Sequence, residues 1–397
     1  MYHSHKDVMK EYYSYLEKLS KTKKIVGYFD TYFPEEFVYA MGLHPVRLIS
    51  DEEEPIRASE FLQGFCCPYA KNLLEQAIKH KLDFLSAVVF TRYCDSLRGV
   101  YEVWKSEKLT PIVEFIRYSQ VVRKEAVEYL ANEFKSVFDR LCDSLGCEYT
   151  FYSLQDAITM VNKKRKALKY AYNRRKEFKQ VSSAYNFYEF VLSATWLEPS
   201  EFLKRTHNFD KLFRKYPQVV NGKVDMVPTC IVVDKGEDYY MKSKAVKVIV
   251  SATELDNLEF YKLLDEIGFY VISDDVAFGT RYTKDLVRED GKTIDELIRN
   301  IALRYIMKTP CSVKDPSDRR IDELVKEVKT TEAKGVIFYR TRFCDSEGVE
   351  YAFIKKRLEA EGIPHIYIES DHRLSNYQQL YTRLEAFYEQ IAGIFRR

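Results

Sequence analysis

The stretches AVVFTRYCDS (87–96) and VIFYRTRFCDS (336–346) end in six residues that differ only at one aromatic, 250 positions apart. Each opens as an apolar, β-branched run and is followed by a helical pattern, SLRGVYEVWKSEK or GVEYAFIKKRLEAEG. A strand that feeds a helix through a short turn is half of a βαβ unit. Cys94 and Cys344 are therefore expected at the carboxyl ends of two parallel strands, the edge at which open α/β sheets hold ligands. The Asp and Ser after each cysteine suit a helix start, whose unpaired backbone N–H groups favour an anionic sulfur.

The same alternation extends outward from both repeats. Before the first lie KKIVGYF (23–29, strand), PEEFVYAMG (34–42, helix), HPVRLIS (44–50, strand) and CPYAKNLLEQAIKHK (67–81, helix), and after it comes TPIVEFI (110–116, strand). Around the second lie KAVKVIVS (244–251), NLEFYKLLDEIG (257–268), FYVISDD (269–275), RRIDELVKEVKTTEAKG (319–335), IPHIYIE (363–369) and YQQLYTRLEAFYEQI (377–391). Between them the strands stop, and Val127, Leu130, Ala131, Phe134, Val137, Phe138 and Leu141 mark an amphipathic helix. The expected fold is α/β, two Rossmann-like parallel-sheet domains with a helical insert: residues 1–118, a helical segment 119–225, and 226–397.

Composition narrows the function. The 62 Lys+Arg and 60 Asp+Glu of the 397 residues leave a net charge of +2, too little for a general attraction to nucleic acid or an anionic membrane. No run of about 18 apolar residues is present. The opening MYHSHKDVMKEYYSYLEKLS has no signal-peptide pattern. A cytoplasmic protein with no membrane and no nucleic-acid partner is expected, and its eight cysteines read as reduced thiols or metal ligands rather than disulfides.

A third cysteine shares the setting of the first two. In GFCCPYAKNLL, Pro68 fits the first position of a helix, which makes Cys67 its cap. Three cysteines in matched positions are read as small buried hydrophobes, as zinc ligands lacking the usual C-x2-C knuckles, or as ligands of an iron–sulfur cluster, which tolerates thiolates gathered from distant loops. Cys142 and Cys147 read as core or surface thiols, Cys230 in VPTCIVV as a buried strand residue, and Cys311 as a loop residue near the same sheet edge and a candidate to line the site.

Taken together, GYFDTYFPEEFVYAMGLHPVRL (27–48), CPYAK (67–71), the two Cys-Asp-Ser turns, DDVAFGTRY (274–282), IPHIYIESD and QLYTRLEAF give nearly the whole chain a likeness to a known family. It resembles a subunit of the 2-hydroxyacyl-CoA dehydratase and benzoyl-CoA reductase family. The resemblance implies a four-iron four-sulfur (4Fe-4S) cluster held by Cys67, Cys94 and Cys344, with one iron left open; Cys-Pro-x-x-Lys ending at Lys71 favours Cys67 over Cys66. Members with a double-cubane cluster carry further cysteines, one of them near DDVAFG, so a single cubane is expected here; many members have Cys or Ser where this chain has Asp30.

The implied reaction removes water from an (R)-2-hydroxyacyl-CoA through a ketyl radical, after ATP-driven one-electron reduction by a separate iron–sulfur activator protein. It would serve anaerobic fermentation of amino or hydroxy acids. A homologous second subunit completes a heterodimer. The alternatives are a subunit of an ATP-dependent benzoyl-CoA (aryl-CoA) reductase, or a non-catalytic electron-relay or structural partner. Absence of a P-loop and of G-x-G-x-x-G agrees with an external ATPase, and no H-E-x-x-H supports zinc hydrolase chemistry. Glu36, just after the first strand, is read as a group that bonds substrate or moves a proton, or as a plain helix-start carboxylate. Asp274 and Asp275 read as an acid/base pair or as caps. The basic run NKKRKALKYAYNRRKEFK (162–179) reads as a solvated helix face, with the phosphates of CoA or a partner as the other reading.

Overall fold

The computed structural model describes residues 4–393, apart from 122, 178–182, 215–231, 236–237, 242–244 and 315–317. The first part runs α1 (His5–Ser20), β1 (Ile25–Tyr28), α2 (Glu35–Ala40), β2 (His44–Arg47), α3 (Ala58–Phe61), α4 (Pro68–Ile78), β3 (Ala87–Thr91), α5 (Asp95–Ser106) and β4 (Val113–Ile116). Helices α6 (Lys124–Leu145), α7 (Phe151–Lys176), α8 (Ala184–Ser193) and α9 (Pro199–Arg214) follow, then a short antiparallel pair, β5 (Val232–Lys235) and β6 (Asp238–Met241). The last part comprises β7 (Val246–Ser251), α10 (Leu258–Ile267), β8 (Phe269–Asp275), α11 (Thr280–Thr283), α12 (Ile294–Met307), α13 (Asp318–Thr331), β9 (Gly335–Thr341), α14 (Asp345–Ala360), β10 (His365–Ser370) and α15 (Tyr377–Ala392).

Two parallel four-stranded sheets result, ordered β2-β1-β3-β4 and β10-β9-β7-β8. Numbered within its own half, each sheet reads 2-1-3-4: the first strand lies between the second and the third. The chain thus leaves the first strand toward one side and returns to the third on the other. Loops after these two neighbours diverge and open a crevice at the carboxyl edge. In the first sheet the crevice lies between the ends of β1 and β3, and in the second between those of β7 and β9. Near-continuous burial along β1, β3, β7, β8 and β9 is what a sheet covered on both faces requires. The α/β class with two such sheets and a helical insert is as expected; Cys230 and the expected boundary at 225–226 lie outside the described residues.

The basic run in α7 departs from expectation in part: Lys163, Lys166 and Lys169 are exposed, but the opposite face is not. Val161, Lys164, Arg165, Leu168, Tyr172 and Arg175 share one helical stripe, and all are buried. Lys164 pairs with Glu35, and Arg165 Nη1 donates to Glu36 Oε1 at 2.7 Å. Arg175 Nε donates to the carbonyl of Val271 at 2.5 Å, with its guanidinium 4.6 Å from the Phe187 ring. The stripe is a buried charged seam. Its counter-charges lie 129 residues away in α2, a separation that a local reading of charge cannot bridge.

Removing one member leaves a buried, uncompensated charge. Arg165→Ala is expected to lower unfolding free energy by about 3–5 kcal/mol, whereas replacing Arg165 and Glu36 together by apolar residues costs less than the sum of the single changes. Urea unfolding of the three variants checks this.

Candidate functional site

All three predicted cysteines cap helices. Cys67 precedes Pro68 of α4 with extended backbone (φ −63°, ψ 142°), Cys94 starts α5 (φ −137°, ψ 169°) and Cys344 starts α14 (φ −82°, ψ 90°). In each case the backbone N–H of the third helical residue, Ala70, Leu97 or Glu347, faces the sulfur and favours its thiolate, although none closes to a full cap hydrogen bond.

The sulfurs meet. Cys67, Cys94 and Cys344 line one cavity together with Tyr69, Tyr93, Thr253, Glu254 and Glu347. This cavity lies where the crevices of the two sheets face each other: Cys94 follows β3, Cys344 follows β9, and Thr253 and Glu254 follow β7. Ser96 of the first Cys-Asp-Ser turn accepts the Cys67 N–H at 3.4 Å, which ties the first two cysteine loops together. Ser346 of the second turn lies 3.7 Å from the Cys344 sulfur and accepts from Ser312 at 3.1 Å. Among the described residues, no three His, Cys, Asp or Glu side chains converge as a single metal ion requires.

Burial makes the thiolates costly. It pushes Cys67 up to about 11, with the neighbouring Cys66 and Glu347 adding to the rise. Cys94 is raised by burial and then by Cys67, and Cys344 by burial, Glu347 and Cys67 in that order. Cys67 is buried, Cys94 and Cys344 are partly exposed, and Cys67 raises the other two, so all three thiols are protonated when alone and nearby positive charge would favour their ionisation.

The two repeats diverge at their aromatic. Tyr93 is 5 % exposed and lines the cavity. Phe343 has left-handed backbone (φ 63°), rare for a bulky residue, and its ring is turned to solvent at 43 % exposure. Arg340 holds this turn, donating from Nε to the Cys344 carbonyl at 2.9 Å. The Arg340 guanidinium lies against Gly348, where a Cβ would approach its carbon to 2.8 Å.

The acidic groups take the structural one of the two readings the sequence offers. Glu36 is fully buried, accepts from Arg165 at 2.7 Å and from the Tyr305 hydroxyl at 3.0 Å, and is not among the residues lining the cysteine cavity. Asp274 accepts the N–H groups of Val276 and Thr280 and the hydroxyls of Tyr172 and Tyr188, which makes it a cap; Asp275 is ion-paired with Arg281 and Arg320. Cys66 and Cys311 do not line the cavity; Cys311 is buried, its N–H donated to the Tyr32 hydroxyl at 3.1 Å. Asp30 follows β1, accepts from the N–H of Tyr32 at 2.8 Å and from the hydroxyl of Thr91, and has its pKa raised by burial.

Glu254 was not foreseen. Its Oε2 accepts from Arg47 Nη2 at 2.7 Å, while burial pushes its carboxyl up to about 8. Asp30 and Glu254 occupy matching places, each in the loop after the first strand of its sheet. That correspondence was the available signal, but it needs the strand order, which single-strand patterns do not give.

Two α/β sheets of one topology thus bring cysteines from three helix starts to one cavity. Residues 30–391 match the family model of the 2-hydroxyglutaryl-CoA dehydratase D-component, so the chain belongs to that family. It is 29% identical to the (R)-phenyllactyl-CoA dehydratase beta subunit of Clostridium sporogenes, over 97% of each chain. It is 27% identical to the beta subunit of (R)-2-hydroxyglutaryl-CoA dehydratase of Acidaminococcus fermentans, over 93% of each. With a benzoyl-CoA reductase subunit of Thauera aromatica it shares 23% identity, over 93% of this chain and 91% of that one. Among the described residues no helix is long and apolar enough to cross a membrane.

The raised thiol of Cys67 has a direct consequence in metal-free protein. At pH 8 its reaction with iodoacetamide is expected to be about 100-fold slower than that of a small free thiol, and to speed up as pH rises toward about 11. Alkylation followed by peptide mass spectrometry measures it.

Proposed function

We propose that this chain is the iron–sulfur subunit of a 2-hydroxyacyl-CoA dehydratase that eliminates water from an (R)-2-hydroxyacyl-CoA. The observation that carries this reading is the convergence of three helix-capping cysteines on one cavity at the facing crevices of both sheets. Cys67, Cys94 and Cys344 would hold a 4Fe-4S cluster. The donor set suits it: three sulfurs at helix N-termini whose thiolates are disfavoured by desolvation, a cost that a cationic multi-iron core would offset. When bound, the cluster would supply low-potential one-electron chemistry and an iron position that no protein ligand takes.

The chain's own residues shape that site. Tyr69 and Leu97 line it with largely apolar surface, limiting water; Ser96 and Ser346 fix the cysteine loops. Glu36 acts here as a structural counter-charge to Arg165 rather than as a substrate group. The electron would come from a separate ATP-hydrolysing iron–sulfur activator in the cytoplasm, and a homologous second subunit would complete the enzyme. The similarity to subunits of other dehydratases and of benzoyl-CoA reductase supports an assembly of this kind.

Protein purified without oxygen is expected to carry about four iron and four acid-labile sulfide per chain, with visible absorbance bleached by air. Cys67→Ala, Cys94→Ala and Cys344→Ala are expected to lose most of the iron, and Cys142→Ala to keep it. Equal iron in all four, or none in the wild type, would overturn the reading. With activator, ATP and a partner subunit, turnover of 2-hydroxyacyl-CoA rather than benzoyl-CoA separates dehydratase from aryl-CoA reductase.

A further inference from the structure

Helix α6 closes on Gly146, whose left-handed backbone (φ 62°) ends the helical run. The N–H groups of Gly146 and Cys147 both donate to the carbonyl of Cys142, the latter at 3.1 Å. A turn of this kind folds the residue after the glycine back onto the last helical turn, where an apolar pair ordinarily packs. Here both members of the pair are cysteines.

The geometry places the two thiols together. A backbone hydrogen bond of 3.1 Å keeps the two Cα atoms within about 7 Å, the outer limit that a disulfide spans. Cys147 Sγ turns back toward Cys142 and lies 4.0 Å from the same carbonyl oxygen. The Cys142 thiol is pushed up to about 12 by burial first and then by Cys147, through its charge and a hydrogen bond between the two side chains. Access is unequal: Cys142 is 7% exposed, whereas Cys147 is partly open to solvent. One thiol can meet a reagent from outside, and the other stands behind it. The turn is also anchored, because Lys24 donates to the Leu145 carbonyl. Lys24 directly precedes β1, so the pair lies at the amino edge of the first sheet, opposite the edge that holds the cysteine cavity.

We propose that Cys142 and Cys147 are a redox-active dithiol that reduces a low-molecular-weight disulfide and closes to an intramolecular disulfide at the end of α6. The Cys147 sulfur attacks one sulfur of the small disulfide, forming a mixed disulfide and releasing one small thiol. Cys142 then attacks the Cys147 sulfur and releases the second. Two electrons pass from the pair to the small disulfide, and the two cysteine protons end on the two released thiols. The step involves none of Cys67, Cys94 and Cys344, so it stands apart from the reading of those residues.

The test treats the full chain, purified without oxygen, with glutathione disulfide, blocks the remaining thiols with iodoacetamide and maps the tryptic peptides. Residues 141–163 form one such peptide and contain both cysteines. From native protein this peptide is expected two hydrogens lighter, with neither cysteine alkylated, and dithiothreitol is expected to restore both thiols. Cys142→Ser is expected to keep one glutathione on Cys147. In urea-unfolded protein the equilibrium constant for closure is expected to fall by about 10-fold, because the fold no longer holds the thiols together. Both cysteines still alkylated in the wild type, a glutathione adduct that persists there without closing, or closure unchanged by urea would overturn the inference. Iron measured on the same samples reports on the cluster reading separately, and neither result decides the other.

Discussion

Beside the cysteine cavity, one buried guanidinium joins the two halves. Arg47 ends β2 at the carboxyl edge of the first sheet and is 1% exposed. It reaches Glu254 and Asp256 after β7 and lies 3.8 Å from the centre of the Phe278 ring after β8. Its own carbonyl accepts the Tyr12 hydroxyl at 3.0 Å, so α1 is pinned by the same residue. A cation this deep is tolerable only because several acceptors and an aromatic face surround it.

The cavity itself is built from two similar halves put to unequal use. Both sheets have one strand order, and both third strands lead through Thr-Arg-aromatic-Cys-Asp-Ser into a helix. Identical topology places the two sulfurs in equivalent positions. The aromatic breaks the equivalence: one backbone dihedral of opposite sign sends Phe343 outward, while Tyr93 stays inside. The loops after the first strands differ in a similar way. Asp30 is occupied by Thr91 and the Tyr32 N–H, whereas Glu254 keeps one oxygen free of protein partners among the described residues. A duplicated frame has given one polar side and one sealed side.

Much of this was legible in the sequence. Alternating apolar runs and helical periods gave the α/β class, and the strand-turn-helix context of Cys94 and Cys344, with Pro68 after Cys67, placed all three cysteines at helix starts. Local pattern carries such information because strand ends and caps are local events. Long-range pairing is not local. Lys164 and Arg165 read as solvent-facing with the rest of the run because Glu35 and Glu36 are far away in the chain, and Glu36 read as available because Arg165 and Tyr305 could not be seen beside it. Glu254 was missed for the same reason: its significance depends on Arg47 and Asp256, which the fold brings together from the two sheets.

Helix α7 carries a consequence for how the chain folds. Its buried stripe pairs with Glu35 and Glu36 of the first half, while Asn162 donates to the Val287 carbonyl, Tyr172 bonds Asp274 and Arg175 bonds the Val271 carbonyl in the second. Neither half can satisfy that stripe alone. An isolated half would expose either carboxyls without cations or a charged helix face without its walls. The two sheets, separable on paper, thus form one cooperative unit whose contacts span most of the chain length. Such non-local closure makes for slow assembly and for a transition in which the cysteine loops are ordered only when everything else is.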